Sequence, residues 1–139
     1  MSEMLMKRDM DMIRELLQKI EGGKGVFYPI PPETAKMSGH QEAPPLTNDE
    51  ANKLRLHLDM LEEIGFIRTQ DVIAGGAVFV ERITWPGYEY LESVRDPETW
   101  RKTKEGANAV KNWSIETIKE IGKGLIRKQI EDYTGVKLG

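Results

Sequence analysis

Two runs rich in β-branched and aromatic residues, "FIRTQDVI" and "AVFVERI", flank Ala74-Gly75-Gly76. In the other periodic segments of the chain, apolar residues recur every three to four positions, as in a helix. Such runs on either side of a glycine turn predict a β-hairpin, here over residues 66–83. A single hairpin in an otherwise helical pattern places the chain in the α+β class, with helix predominating.

Two amphipathic helices are predicted before the hairpin. The first covers residues 7–21, whose apolar positions follow helical spacing, and it ends at Gly22-Gly23. The second covers residues 47–64, because Thr47 and Glu50 form a capping box and four apolar residues then make one buried stripe. Residues 22–46 hold five of the seven prolines, which predicts an ordered loop with at most one short strand at 26–30.

Three helices are predicted after the hairpin, near residues 85–95, 97–110 and 114–133, with Thr84, Asp96 and Ser114 as N-caps. Helix, helix and hairpin in this order are the layout of a winged helix. The prediction is therefore one domain over residues 1–139, with a winged-helix-like unit at 6–96 and a C-terminal helical extension at 97–139. The proline-bearing loop at 22–46 takes the place of the second helix of a helix-turn-helix.

The segment "ITWPGYEYLESVRDPETWRKTKE" concentrates aromatic residues and charges. Trp85, Tyr88 and Leu91 follow each other at three-residue steps, as do Leu91 and Val94. This spacing favours aromatic side chains buried in the core over an aromatic binding platform.

Composition excludes several classes of function. The chain has no cysteine, no apolar run near the roughly 18 residues of a membrane span and no apolar core after its N-terminal charges, so we expect a cytoplasmic protein. Phosphate-loop and nucleophile-elbow patterns are absent, and "GGKG" is a helix stop. The two histidines, His40 and His57, are each expected to be partly buried or at the surface rather than ligands. We therefore expect no metal, no cofactor, no small-molecule substrate and no enzymatic activity.

Charge is unevenly distributed. The net charge of −3 argues against broad, nonspecific binding of nucleic acid. Residues 101–128 nevertheless carry eight basic against three acidic residues, a local charge of +5, so the rest of the chain carries −8. The predicted helix at 47–64 has five acidic against two basic residues, which weakens a generic role in a DNA groove.

Three segments, "MKRDMDMIRELLQKIE", "LHLDMLEEIGFI" and the aromatic segment above, together resemble the bacterial and phage family known as domain of unknown function 2513. The resemblance covers nearly the whole chain apart from residues 22–46. It implies a phage or prophage setting and a winged-helix-like fold, but no established activity and no functional residue. Sequences of that family typically begin at the position of Met6, so the resemblance implies that Met1 to Leu5 are an extension or reflect an upstream start.

Sequence-selective DNA binding by a regulatory module is the leading hypothesis. The segment "LRLHLDMLEEIGFI" looks like the recognition helix of bacterial winged-helix regulators, which enters the major groove. Candidate contacts lie on that helix, on the hairpin and at the start of the basic segment, and they are Asn52, Lys53, Arg55, Arg68, Arg82, Arg101, Lys102 and Lys104.

The alternative hypothesis is a protein-interaction module that binds a host protein or a second copy of itself. Leu56 and Met60 lie opposite the buried stripe of their helix, so that either the same chain or a partner must cover them. Gly122 and Gly124 each cost about 1 kcal/mol relative to alanine inside a helix. Close approach of another backbone, as in a homodimer, and a break of the helix are two explanations for these glycines.

Overall fold

A computed structural model describes residues 7–31, 33, 46–70 and 76–138 of the 139-residue chain. The described part is mainly helical with one small sheet, which confirms the predicted α+β class. Its elements are α1 (Met10–Glu21), β1 (Val26–Phe27), α2 (Asn48–Glu63), β2 (Ile67–Gln70), β3 (Val78–Ile83), α3 (Trp85–Val94), α4 (Pro97–Val110) and α5 (Ile115–Thr134).

Side-chain caps set the starts of the helices, as the sequence predicts. The Thr47 hydroxyl accepts from the Glu50 amide at 3.1 Å while the Glu50 carboxylate accepts from the Thr47 amide at 2.9 Å, so the predicted capping box is confirmed. Asp96 and Ser114 cap α4 and α5 in the predicted places. The helix at residues 7–21 starts later than predicted, because Asp9 is its N-cap.

The sheet is antiparallel with the order β1-β3-β2. The strand predicted within residues 26–30 is confirmed as the two-residue β1, which pairs Val26 with Phe79 of β3. In the hairpin, Ile67 pairs with Ile83 and Arg68 with Arg82, and the ladder is irregular between Arg68 and Thr69. Residues 71–75 lie outside the described residues, and they include two of the three residues of the predicted glycine turn at 74–76. The turn itself stays a prediction.

The chain divides into two compact units between Tyr88 and Glu89, within α3. Unit 1, up to Tyr88, contains α1, α2 and the sheet, and its fully buried side chains lie on both helices and on β2. Unit 2, from Glu89 onwards, contains the packed pair α4 and α5, with Trp100 and Ile118 buried.

Only part of the predicted loop at residues 22–46 can be assessed. Pro29 and Ile30 are buried, so its first part belongs to the packed unit 1. Residue 32 and residues 34–45 lie outside the described residues. For most of this segment, the predicted loop without a helix therefore stays a prediction, as does the expected position of His40.

The predicted burial of Trp85 and Tyr88 is wrong, since Trp85 is 77% exposed and Tyr88 is 43% exposed. Leu91 and Val94 are buried as predicted, and the other buried positions of α3 are Gly87, Tyr90 and Ser93. Gly87 explains the difference, because a Cβ atom there would stand 2.2 Å from the Phe66 carbonyl oxygen. The missing side chain lets the first turn of α3 pack on backbone, which turns Trp85 to solvent.

Helix α5 runs without a break through Gly122 and Gly124, so the alternative of a helix break is wrong. Gly122 is buried, and a Cβ atom there would stand 2.2 Å from the carbonyl oxygen of Ser93 at the end of α3. Gly122 is therefore corrected from an interaction residue to a packing residue, because the backbone that approaches it belongs to the same chain. At Gly124, no atom of the described residues lies within 4 Å of the corresponding position.

Candidate functional site

Two arginines stand opposite each other on the exposed face of the hairpin. Arg68 and Arg82 are paired across β2 and β3, and both are exposed, while the neighbouring pair of Ile67 and Ile83 is buried. Cβ atoms of directly opposite residues are about 5 Å apart, and like charges in this arrangement destabilise a sheet. Within the described part of the chain, no carboxylate forms an ion pair with either guanidinium. The pair is therefore a candidate site for an anion.

Helix α2 is attached to the hairpin by two side-chain hydrogen bonds. The Thr69 hydroxyl donates to the Glu62 carboxylate at 2.6 Å, and the Arg55 guanidinium donates to the Gly76 carbonyl at 3.2 Å. A shallow cavity of about 210 Å³ lies between the two elements. Two carboxylates, of Asp59 and Glu62, contribute to its lining. Arg55 is thus partly engaged within the chain, whereas its neighbour Asn52 is exposed.

Lys53 lies in a different environment from the one expected for a DNA contact. Its ammonium group is 2.7 Å from Asp9, the cap of α1, and this hydrogen bond holds the pKa of the Asp9 carboxyl below its usual range. Lys53 therefore links α2 to the start of α1. Replacing it would perturb unit 1 as well as any ligand contact.

His57 also connects α2 to the start of α1. The ring is fully buried; its Nε2 accepts from the Asp9 amide at 2.8 Å, and its Nδ1 lies 2.8 Å from the Lys53 carbonyl oxygen. These bonds require the tautomer with its proton on Nδ1. His57 is therefore more deeply buried than expected, because its ring nitrogens are satisfied by hydrogen bonds within the chain. The described residues contain no cluster of groups able to hold a metal ion.

The outer surface of α2 is acidic, as its composition predicts. Because a DNA duplex carries one negative charge per roughly 1.7 Å of its axis, such a surface repels a duplex laid along the helix. Leu56 and Met60 are half-buried. All five acidic side chains of the helix are exposed, namely Asp49, Glu50, Asp59, Glu62 and Glu63.

Most of the basic candidates in unit 2 are engaged on their own helix. Arg101 forms ion pairs with both Glu98 and Glu105, and its hydrogen bond lowers the pKa of the Glu98 carboxyl. The Lys104 ammonium lies 5.6 Å from the centre of the Trp100 ring. Lys102 is exposed.

Two larger cavities have linings of mixed charge. One, of about 370 Å³, lies between α1, β1 and α2 and includes three lysines and two glutamates. The other, of about 340 Å³, lies in unit 2 and includes Glu89, Glu92, Lys123 and Arg127 over an apolar floor. Neither gathers groups that favour one ligand chemistry. No helix in the described part of the chain is long and apolar enough to cross a membrane.

A sequence model of the family of hypothetical proteins DUF2513 matches residues 7–114. The chain belongs to the DUF2513 family. The matched range of this DUF2513 protein includes the proline-bearing segment at 22–46 and ends before α5. No curated protein and no solved structure matches the chain.

In the DUF2513 protein, the aromatic residues at the start of α3 are exposed, whereas their three-residue spacing predicts that they are buried. A signal for them was present in the sequence, because Gly87 lies two positions from Trp85 and is the residue that best permits close backbone packing. Two positions on a helix correspond to about 200°. A buried Gly87 therefore implies an exposed Trp85.

Proposed function

We propose that this DUF2513 protein is a non-enzymatic DNA-binding module in which unit 1 is a winged-helix domain and the β2–β3 hairpin is its wing. The element order α1-β1-α2-β2-β3, with β1 paired to β3, supports the winged-helix assignment. The phage or prophage setting implied by the family resemblance supports a regulatory role in the cytoplasm.

The facing pair Arg68 and Arg82 carries this proposal. A guanidinium binds phosphate through two parallel hydrogen bonds, and arginine is favoured where the hairpin approaches a narrow minor groove. An anion between the two side chains would replace their repulsion by two attractive contacts. Both guanidiniums are available for such an anion because neither forms an ion pair within the described chain.

The acidic face of α2 limits how the duplex can lie. Five exposed carboxylates on this helix disfavour deep insertion into the major groove. We therefore propose that the hairpin makes the main phosphate contacts and that Asn52 and Arg55, near the N-terminal half of α2, supply at most local contacts to base edges.

The experiment compares two double variants with the same net charge. R68Q/R82Q removes the facing pair, and R127Q/K128Q removes two exposed charges from α5. Binding of a labelled duplex is measured by fluorescence anisotropy between 50 and 200 mM salt, with a duplex selected by the wild-type protein from a random library. R68Q/R82Q should bind at least about tenfold more weakly, and its salt slope should fall by about two.

The control variants distinguish binding at a defined site from nonspecific electrostatic attraction to DNA. R127Q/K128Q should bind nearly as the wild type does, and R68K/R82K should recover part of the affinity because it keeps the charge without the bidentate geometry. Equal losses in the two charge-removing variants would show only nonspecific attraction. A wild-type protein that selects no duplex would refute the proposal.

One observation favours protein interaction as the second candidate function, namely the exposed acidic surface of α2. Such a surface would suit a basic protein partner. D59N/E63Q removes two of its charges. If α2 faces a protein, this variant loses that partner in a pull-down from host lysate; if α2 lies beside DNA, the variant binds the duplex more tightly than the wild type.

A further inference from the structure

The exposed large apolar side chains of unit 1 lie at one place, the base of the hairpin. In the described residues of this unit they are Ile64 at the end of α2 and Trp85 and Tyr88 in the first turn of α3. Trp85 stands out, since an indole that is 77% exposed leaves nearly all of its apolar surface in water.

This exposure is built into a rigid part of the fold. The Thr84 amide donates to the Phe66 carbonyl at 2.9 Å, and the Thr84 hydroxyl donates to the Gly65 carbonyl. Gly87 then packs its backbone onto the Phe66 carbonyl. The start of α3 is thereby held at the junction of α2 and β2, with Trp85 on the side of the helix opposite Gly87.

The indole and the facing arginines lie within reach of one ligand. Arg82 precedes Trp85 by three residues, which span at most about 10 Å of chain. Arg68 is the cross-strand partner of Arg82. A flat aromatic surface beside two cations suits a nucleic-acid strand, because a base stacks on the ring while neighbouring phosphates bind the guanidiniums.

We propose that Trp85, Arg68 and Arg82 form a binding surface for DNA with unpaired bases, such as the junction between a duplex and a single strand. This proposal rests on the DNA-binding function proposed above and names the form of DNA. Trp85 stacks on an unpaired base, and the two arginines hold phosphates beside it.

Two physical arguments favour an unpaired base over a closed duplex. A base within a duplex is already stacked on both faces, so stacking on Trp85 would require unstacking it first. An unpaired base has no such cost. In addition, the carboxylates of α2 repel a long duplex surface, whereas a strand that meets only the base of the hairpin avoids most of them.

The test uses two labelled DNA ligands that share one duplex, a blunt form and a form with a single-stranded tail of ten thymidines. Wild type, W85A and W85F are compared by anisotropy at one fixed salt concentration. The wild type should bind the tailed form more tightly. W85A should lose roughly 5- to 100-fold on the tailed form and stay unchanged on the blunt form, whereas W85F should retain most of the affinity.

A second readout reports stacking directly. The tailed DNA should quench tryptophan fluorescence in a W113F background, which removes the half-buried Trp113. Adding W85F should abolish most of this quenching because the remaining Trp100 is only 4% exposed. Thermal unfolding of W85A checks that the fold is intact, which is expected for an exposed side chain.

The outcomes separate this inference from the function on which it rests. If R68Q/R82Q weakens binding to the blunt duplex but W85A affects both DNA forms equally or neither, the junction surface is refuted while DNA binding stands. If the wild type binds neither form, both proposals fail. Quenching that persists in W85F/W113F would also overturn the role of Trp85.

Discussion

Gly122→Ala is expected to destabilise unit 2, although glycine-to-alanine changes inside helices normally stabilise by about 1 kcal/mol. The added methyl group would stand 2.2 Å from the Ser93 carbonyl oxygen and 3.1 Å from its carbonyl carbon. Both atoms belong to backbone, so no side-chain rotation can relieve the overlap. Helices α3 and α5 would have to separate locally by about 1 Å, which forfeits a quarter to a half of the dispersion energy of the contacts involved.

The expected magnitude follows from a matched control on the same helix. Overpacking of this kind costs about 1–3 kcal/mol. Gly124→Ala adds the same methyl group two residues away, where no atom of the described residues lies within 4 Å, and should stabilise by about 0.5–1 kcal/mol. Both changes gain the same helix propensity, so the two variants should differ in the free energy of unfolding by the overpacking cost alone, about 1–3 kcal/mol.

Urea titrations followed by circular dichroism at 222 nm would measure this difference. With a slope of about 1–3 kcal/mol per molar urea, this difference should separate the two midpoints by on the order of 1 M. Sedimentation of the wild type in the same buffer shows whether association contributes. Equal midpoints for the two variants, or a Gly122→Ala protein as stable as the wild type, would refute the close packing of α5 on Ser93.

Three further predictions concern buried polar groups and pH. Thr103→Val should stabilise by about 0.5–1 kcal/mol in the same titration, because among the described residues this buried hydroxyl has no hydrogen-bond partner; a loss of stability would reveal one. Asp9→Asn should lower the melting temperature at neutral pH. Lys53 depresses the pKa of Asp9 in the folded state, so its stabilisation is present above about pH 4 and disappears as the pH falls through the folded-state pKa. A difference from the wild type that stays constant down to pH 2 would contradict this. His57→Phe should destabilise by about 1–2 kcal/mol in thermal unfolding, because the part-buried Asp9 amide loses its acceptor. An unchanged melting temperature would show that the bond contributes nothing.

Local chemistry was enough to predict the helices, the hairpin and the family. Capping residues such as Thr47, Asp96 and Ser114 act on amides within three residues of themselves, so their effect can be read without a fold. The β-branched runs beside the glycines act in the same local way. The exposed acidic surface of α2 also followed from composition, because an amphipathic helix with one buried stripe leaves its charges to solvent.

Tertiary contacts decided which face of each helix is buried and which charges remain available. Within the ten residues of α3, apolar positions fit more than one stripe, and the choice was made by the approach of the Phe66 backbone to Gly87. The same holds for Lys53, which pairs with Asp9 from 44 residues away. Arg68 and Arg82 face each other, and no carboxylate among the described residues forms an ion pair with them. Spacing within one segment carries no information about a partner so distant in the chain. The candidate site therefore consists of residues whose type was visible in the sequence and whose proximity depended on the packed fold.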